Sequence, residues 1–165
     1  MSISPTLALR AGVVALAAVA SSLAFAQGGA ATSKMTCSNF GANPLEPLAE
    51  GRALQVVSLS CRVESGPLAE GVLSGSQIYE FQGANGTFLS GDGVIRSPRG
   101  MLVYRNSEGT IALKMADGKV VGATSAGKGV YKGAYGAAAS LAGKSYSYRS
   151  TTTGMNQFVI EVTDD

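Results

Sequence analysis

Residues 53–64 read ALQVVSLSCRVE, and from residue 57 onward apolar and polar side chains alternate strictly. One face of this run consists of Val57, Leu59, Cys61 and Val63. The other face consists of Ser58, Ser60, Arg62 and Glu64. Such alternation is typical of a β-strand with one buried face. The segment therefore predicts a sheet that packs one face on a core and exposes the other.

Similar runs recur along the rest of the chain. They predict strands over residues 77–82, 87–95, 101–105, 110–115, 119–125, 145–149 and 157–163. Turn residues separate them: Asn85-Gly86 is typical of a two-residue hairpin turn, and residues 106–109 and 116–118 suit slightly longer loops. Residues 150–154 are predicted as a polar turn. A helix is an alternative to a strand only in the Ala-rich residues 137–142, so we predict an all-β chain.

About eight short strands can bury one face by closing into a barrel or by stacking two sheets. The 22 glycines among 165 residues fit sharply coiled barrel strands, and they also fit a sandwich with bulges. We expect one antiparallel β-barrel over residues 35–165, with a β-sandwich as the alternative. Residues 27–34 have the composition of a flexible linker. Residues 39–51, which include Pro44 and Pro47, are expected to form a loop or a short helical turn.

The N-terminal 26 residues have the three parts of a secretory signal peptide. Arg10 is the only charged residue before Lys34, residues 11–20 are apolar, and residues 24–26 (AFA) form a small-x-small cleavage site. The apolar run is shorter than the roughly 20 residues that a membrane-spanning helix needs. We therefore expect cleavage after Ala26, no membrane span in the mature protein, and a periplasmic or secreted location.

Export would place the two cysteines, Cys37 and Cys61, in an oxidising compartment where they can form a disulfide. Closing this loop would remove about 3.5 kcal/mol of chain entropy from the unfolded state. Two free thiols are the alternative, and a catalytic thiol is disfavoured because the chain has no histidine.

The lack of histidine also excludes a Ser-His-Asp triad and a His-ligated metal site, and we expect no metal and no cofactor. The 13 basic and 11 acidic residues are scattered, so nucleic acid is not an expected partner.

Residues 127–136 read GKGVYKGAYG and are the most specific pattern in the chain. A dinucleotide fingerprint needs a helix after its glycines, and a Walker loop needs Gly-Lys followed by Ser or Thr, so neither nucleotide site fits. We expect instead that the glycines allow a tight crossing between strands, with Tyr131 and Tyr135 beneath it. On this interpretation at least one of the glycines has a backbone conformation that is closed to β-branched residues.

At these residues the chain resembles the allene oxide cyclase and dirigent protein superfamily, whose pattern is G-x-G-x-[FY]-x-x-A-x-G. Its constrained positions are met by Gly127, Gly129, Tyr131, Ala134 and Gly136. The resemblance covers roughly the last 40 residues, because a small-residue strand, a polar turn and a terminal strand follow in the same order. It implies an eight-stranded antiparallel barrel with an apolar cavity for a lipid-like or phenolic molecule. It also implies a homotrimer packed through the barrel exteriors.

The resemblance does not carry over catalytic residues. The cyclases use an acidic residue helped by Asn and Pro, and dirigent proteins use Asp and Arg in the cavity, but neither set can be placed in this chain. Glu80 is the nearest candidate for a cavity carboxylate, although alternation puts it opposite Tyr79 and Phe81, on a solvated face. The candidate ligand-binding residues are aromatic side chains in predicted strands: Tyr79, Phe81, Phe88, Tyr104 and Tyr148.

These features favour a secreted or periplasmic barrel whose cavity binds a small apolar or aromatic molecule. Two other functions stay open. One is a cyclase or isomerase that positions a reactive intermediate, which would need a titratable group inside the cavity. The other is a structural or oligomeric envelope-associated protein without a ligand, whose interior would be filled by side chains.

Overall fold

The computed structural model describes residues 33–40 and 43–165, so the expected signal peptide and most of the expected linker lie outside the described residues. These residues form strands and two single turns of 3₁₀ helix, Ala49–Gly51 and Ala139–Leu141, and contain no α-helix. The strands are β1 (Ser33–Asn39), β2 (Glu46–Pro47), β3 (Arg52–Ser65), β4 (Val72–Gln82), β5 (Asn85–Ser97), β6 (Gly100–Ala116), β7 (Lys119–Gly136), β8 (Ser145–Gly154) and β9 (Gln157–Asp164).

Eight of these strands close into an antiparallel barrel, which confirms the predicted fold and excludes the sandwich. Strands β3 to β9 follow one another in an up-and-down meander. Strand β1 lies between β9 and β3 and pairs with both, so it is the strand that closes the barrel. The short β2 pairs only with the beginning of β3. Closure removes the exposed edges that an open sheet of the same strands would have.

A disulfide spans the seam where the barrel closes. Cys37 of β1 lies directly opposite Cys61 of β3, with the sulfur atoms 2.04 Å apart. Both cysteines are almost fully buried and belong to the hydrophobic core inside the barrel. The bridge therefore ties the closing strand to its neighbour from within.

The structure corrects the prediction of a hairpin loop at residues 106–109, because these residues lie inside β6. The side chain of Asn106 is buried and accepts a hydrogen bond from the Tyr146 hydroxyl at 2.6 Å. Ser107 is the extra residue of a bulge against β7. A sequence with turn composition stays extended here because the barrel interior provides a partner for its amide.

Three other boundaries differ from the predictions. The β4–β5 turn falls at Gly83 and Ala84, so Asn85-Gly86 begins β5 instead of forming the turn. Strand β8 runs through the predicted polar turn at residues 150–154, and the turn follows at Met155-Asn156. Strand β1 begins at Ser33, two residues before the expected start of the barrel. The predicted turn at residues 116–118 does connect β6 to β7.

The glycines of residues 127–136 lie within a continuous strand and do not form a crossing. Gly127 is paired with Tyr148 of β8, and Gly129 is paired with Tyr146. A Cβ atom at Gly127 would lie 2.8 Å from the Tyr148 ring, and a Cβ atom at Gly129 would overlap the Tyr146 ring. These two glycines therefore leave the space that the tyrosine rings of the next strand occupy. Only Gly136 of the motif has a left-handed backbone, with φ +64°.

The motif also contains a β-bulge, which explains the position of Tyr135. Tyr131 pairs with Tyr104 and Gly133 pairs with Val103, so Lys132 is an extra residue on β7. The bulge shifts the alternation, and the next buried residue after Tyr131 is Ala134. Tyr135 is 60% exposed on the outer face. The expectation that it lies beneath the glycines was wrong because simple alternation does not continue through the bulge.

Two further aromatic rings occupy space left by glycines. Phe81 of β4 is paired with Gly86, and Tyr104 of β6 is paired with Gly93. A Cβ atom would lie 2.9 Å from the Phe81 ring at the first position and 2.7 Å from the Tyr104 ring at the second. Gly86, predicted as a turn residue, thus has a packing role inside the barrel.

The first prediction tests this packing role. Gly129→Ala should lower the free energy of unfolding by about 2 to 3 kcal/mol, because its Cβ meets the Tyr146 ring and lies 2.6 Å from the Arg105 carbonyl oxygen. The control is Gly133→Ala on the same strand, whose Cβ would approach only the Tyr135 ring, at 3.7 Å. It should change stability by less than about 0.5 kcal/mol. Denaturant unfolding measures both, and equal effects would contradict the packing role.

A second prediction concerns the seam. Cys61→Ser should lower the free energy of unfolding by about 3.5 kcal/mol and leave the barrel folded, because the bridge constrains the unfolded chain. Circular dichroism and thermal unfolding of the variant, compared with the reduced and the oxidised wild type, measure the effect. Labelling of both thiols in native, non-reduced protein would show that packing alone holds β1.

Candidate functional site

The two ends of the barrel interior are filled differently. At the end that carries the β3–β4 and β7–β8 loops, tyrosines and aliphatic side chains form a continuous core, here called the packed half. Tyr131 stacks on Tyr146 with ring centroids 4.6 Å apart, and Tyr104 meets Tyr146 edge-on at 6.3 Å. Leu68 and Leu141 come from the two loops and line this end. Only a small cavity of about 50 Å³ remains there.

The opposite end contains a cavity of about 540 Å³, here called the open cavity, which reaches the β6–β7 hairpin and the β8–β9 turn. Its apolar lining comes from β3, β6 and β9 and includes Val57, Leu59, Ile111, Leu113, Phe158 and Ile160. Its polar lining includes Asn39, Gln55, Gln77, Tyr79, Ser125, Tyr148, Ser150 and Thr152. The rim carries Val120, Val121, Met155, Asn156 and Gln157.

The open cavity exists because small residues face inward at this end of β7 and β8. Ser125 and Ser150 lie on paired strands, and their hydroxyls are hydrogen-bonded to each other at 2.7 Å. Ala123 and Thr152 continue the same lining toward the rim. In the packed half the corresponding positions on β8 are tyrosines. The inward side chains of β8 therefore change from tyrosines at one end to serine and threonine at the other, and this change divides the interior into a filled part and an open part.

Three residues line both cavities and separate them: Gln77, Tyr148 and Ile160, here called the waist. Next to the waist, the Tyr79 hydroxyl donates a hydrogen bond to Oε1 of Gln77. The Tyr148 hydroxyl is buried near the Tyr79 hydroxyl and makes no hydrogen bond of good geometry among the described residues. The floor of the open cavity thus consists of neutral hydrogen-bonding groups, one of which is unsatisfied.

The structure brings two of the five predicted aromatic residues to the open cavity, Tyr79 and Tyr148. Tyr104 lines the small cavity of the packed half. Phe81 and Phe88 pack beside Tyr79 in the wall, with ring centroids 6.3 Å and 5.8 Å from the Tyr79 ring, and do not line the open cavity.

Apart from Tyr79 and Tyr148, the polar residues of the lining were not predicted from the sequence. Gln77 could have been found, because the alternation that turns Tyr79 inward also turns Gln77 inward. Ser125 and Ser150 gave no such signal. Their meeting depends on the register between β7 and β8, and residue 150 was assigned to a turn.

The prediction that Glu80 points away from the cavity is confirmed. Its carboxylate accepts a hydrogen bond from Nη1 of Arg52 at 2.9 Å, and both side chains remain partly exposed. Within residues 33–40 and 43–165, no Asp, Glu, Lys or Arg side chain lines either cavity. The same residues contain no group of three side chains that could hold a metal ion.

Burial raises the pKa of all five interior tyrosines above the ordinary phenol value, and it is the largest cause in each case. The five are Tyr79, Tyr104, Tyr131, Tyr146 and Tyr148. For Tyr131, the hydrogen bond from its hydroxyl to Asp164 at 2.6 Å adds to the rise in pKa. The interior phenols therefore stay protonated at neutral pH and act as hydrogen-bonding groups, not as bases.

The raised pKa values predict that stability falls in alkali. Above about pH 10 the phenols of the unfolded chain ionise while the buried phenols keep their protons, so rising pH favours the unfolded state. The slope should reach about 1.4 kcal/mol per pH unit for each buried phenol. Unfolding free energies and tyrosinate absorbance from about pH 8 to pH 12 measure it.

Tyr148→Phe provides the control for this prediction, because the Tyr148 hydroxyl makes no hydrogen bond of good geometry that the substitution would remove. It should leave the free energy of unfolding at neutral pH nearly unchanged. Above about pH 10 it should reduce the fall of that free energy with pH by the contribution of one buried phenol. Ionisation of all tyrosines at their ordinary pKa, with the barrel still folded, would contradict it.

Among the described residues, no helix has the length and apolar character that crossing a membrane requires. Comparisons with known proteins gave no relative: no family model, no curated protein and no solved structure matches the chain.

Proposed function

We propose that this barrel binds a small, largely apolar molecule in the open cavity. The observation that carries the proposal is the cavity itself, whose volume of about 540 Å³ lies in the range of small-molecule sites, about 300 to 1,000 Å³. Its walls combine aliphatic side chains with a few polar groups at the floor, which is the usual composition of such sites.

The energetics of the lining support the same proposal. Val57, Ile111 and Leu113 face the cavity and are only partly buried when it is empty. A ligand that removes about 200 Å² of apolar surface from water would gain about 5 kcal/mol from the hydrophobic effect. Part of this gain is offset by the lost freedom of the ligand, and the rigid wall of a closed barrel keeps that cost low.

We favour binding over catalysis. A cyclase or isomerase needs a group that can donate or accept a proton at the reacting atoms. The carboxylates of the described residues lie outside the cavity, and Glu80, the nearest candidate from the sequence, is paired with Arg52 on the outer face. The cavity phenols have raised pKa values and stay neutral. The third function, a scaffold with a filled interior, would leave the open cavity without a role.

We also propose the family relation suggested by residues 127–136, and location in the periplasm or outside the cell. The relation is supported by the eight antiparallel strands and by the cavity inside them. Export is supported by the pairing of Cys37 with Cys61, because such bridges persist in oxidising compartments. The homotrimer that the resemblance implies remains a prediction, which light scattering of the purified protein measures.

Val57→Trp tests the proposal, because the indole would fill the open cavity from β3. Val56→Trp is the matched control, since the adjacent Val56 points outward and is 47% exposed. A panel of uncharged aromatic and terpenoid compounds should raise the melting temperature of the wild type and of Val56→Trp. Val57→Trp should bind the same compounds about ten-fold more weakly or worse, as calorimetry would show.

Two outcomes would contradict the proposal. Equal loss of binding in both tryptophan variants would place the binding site outside the open cavity. A wild type that shows no thermal shift with any compound of the panel, at concentrations that saturate ordinary small-molecule sites, would remove the proposed function.

A further inference from the structure

We infer that the open cavity takes an uncharged molecule, and that a neutral oxygen group of such a molecule, for example a hydroxyl, carbonyl, ether or ester, would pair with the Tyr148 hydroxyl. Organic anions and cations of the same size and shape are rejected. This inference rests on the proposed function and narrows the class of ligand that the site takes.

The first argument is the absence of a counter-ion. In the described part of the chain, every side chain that lines the open cavity is uncharged at neutral pH. The nearest candidates on the β6–β7 hairpin, Lys114, Asp117 and Lys119, are exposed and outside the lining. An ion that leaves water without a partner loses several kcal/mol of hydration that nothing in the site returns.

The second argument is the character of the polar groups that are present. Ser125 and Ser150 bond to each other at 2.7 Å, and the Thr152 hydroxyl bonds to the backbone of Ala123. These hydroxyls are already paired, and their dipoles are too weak to replace the hydration of a full charge.

The third argument is the unsatisfied group at the waist. Tyr148 is more than nine-tenths buried, lines the open cavity, and has a hydroxyl that lies near that of Tyr79 but makes no hydrogen bond of good geometry in the described structure. A buried hydroxyl left unpaired costs about 1 to 3 kcal/mol, so a ligand oxygen that reaches it gains this energy back. A neutral oxygen does so without bringing a charge into the floor. The apolar body of the ligand then lies toward the rim, between Leu113 and Phe158.

A matched pair of fluorescent probes tests the inference. N-phenyl-1-naphthylamine is uncharged at neutral pH, and 8-anilino-1-naphthalenesulfonate has the same rings with an added sulfonate. The uncharged probe should bind about ten-fold or more tightly than the anion, and the uncharged compounds of the panel should displace it. Val57→Trp should weaken its binding, which places the probe in the open cavity.

Leu113→Lys adds the missing counter-ion at the wall of the open cavity, where Leu113 is half-buried. This variant should shift the ratio of the two affinities toward the sulfonate by about ten-fold or more. Leu113→Met, which changes the shape without adding a charge, should leave the ratio as in the wild type. Circular dichroism checks that both variants are folded.

The outcomes separate the two proposals. Equal binding of both probes to the wild type, lost in Val57→Trp, would overturn the inference of an uncharged ligand while leaving cavity binding intact. An unchanged affinity ratio in a folded Leu113→Lys would overturn it as well. No binding of either probe or of any panel compound would overturn the proposed function, and the inference with it.

Discussion

Four large aromatic rings inside this barrel, Phe81, Tyr104, Tyr146 and Tyr148, occupy space that glycines on the neighbouring strands leave free, and this steric fit governs much of how the interior is filled. An eight-stranded barrel is just wide enough for its own side chains. Tyr146 and Tyr148 occupy the space above Gly129 and Gly127, and the resulting core stabilises one end of the barrel. At the other end the inward residues of β7 and β8 are small, so the same width leaves an open cavity.

Much of the fold could be predicted from the sequence, because alternation of apolar and polar residues is a local property. Most of the errors came from glycine and polar residues that have two uses. Gly86 is a residue type that is common in turns, but here it leaves space for the Phe81 ring. Asn106 is a residue type that is common in loops, but here its side chain accepts a hydrogen bond from Tyr146. Which use applies depends on the residue across the sheet, and a single sequence does not give the register. The bulge at Lys132 was missed for the same reason.

The candidate site was less predictable than the fold. The aromatic residues of the predicted strands included two that line the open cavity, Tyr79 and Tyr148. The pattern did not distinguish these two from aromatic residues that lie in the wall or in the packed half. The volume of the open cavity depends on small inward-facing side chains such as those of Ala123 and Ser125. Small residues form no pattern in the sequence that predicts a cavity. The outward direction of Glu80 followed from alternation, but the lack of charge in the whole lining depends on which side chains meet across the sheet, and a single sequence does not give that.

The two ends of the barrel interior differ in what a substitution would change, because the waist separates a close-packed set of residues from a set that borders an open cavity. The tyrosines Tyr131 and Tyr146 belong to the packed half, and the Cys37–Cys61 bridge joins the same core. Residues such as Val120 and Thr152 lie outside that core and border the open cavity. Substitutions there should change the shape of the open cavity at small cost in stability, whereas substitutions at Gly129 should lower stability first. One end of the barrel is therefore constrained by close packing, whereas the other end can change its side chains without disturbing that packing.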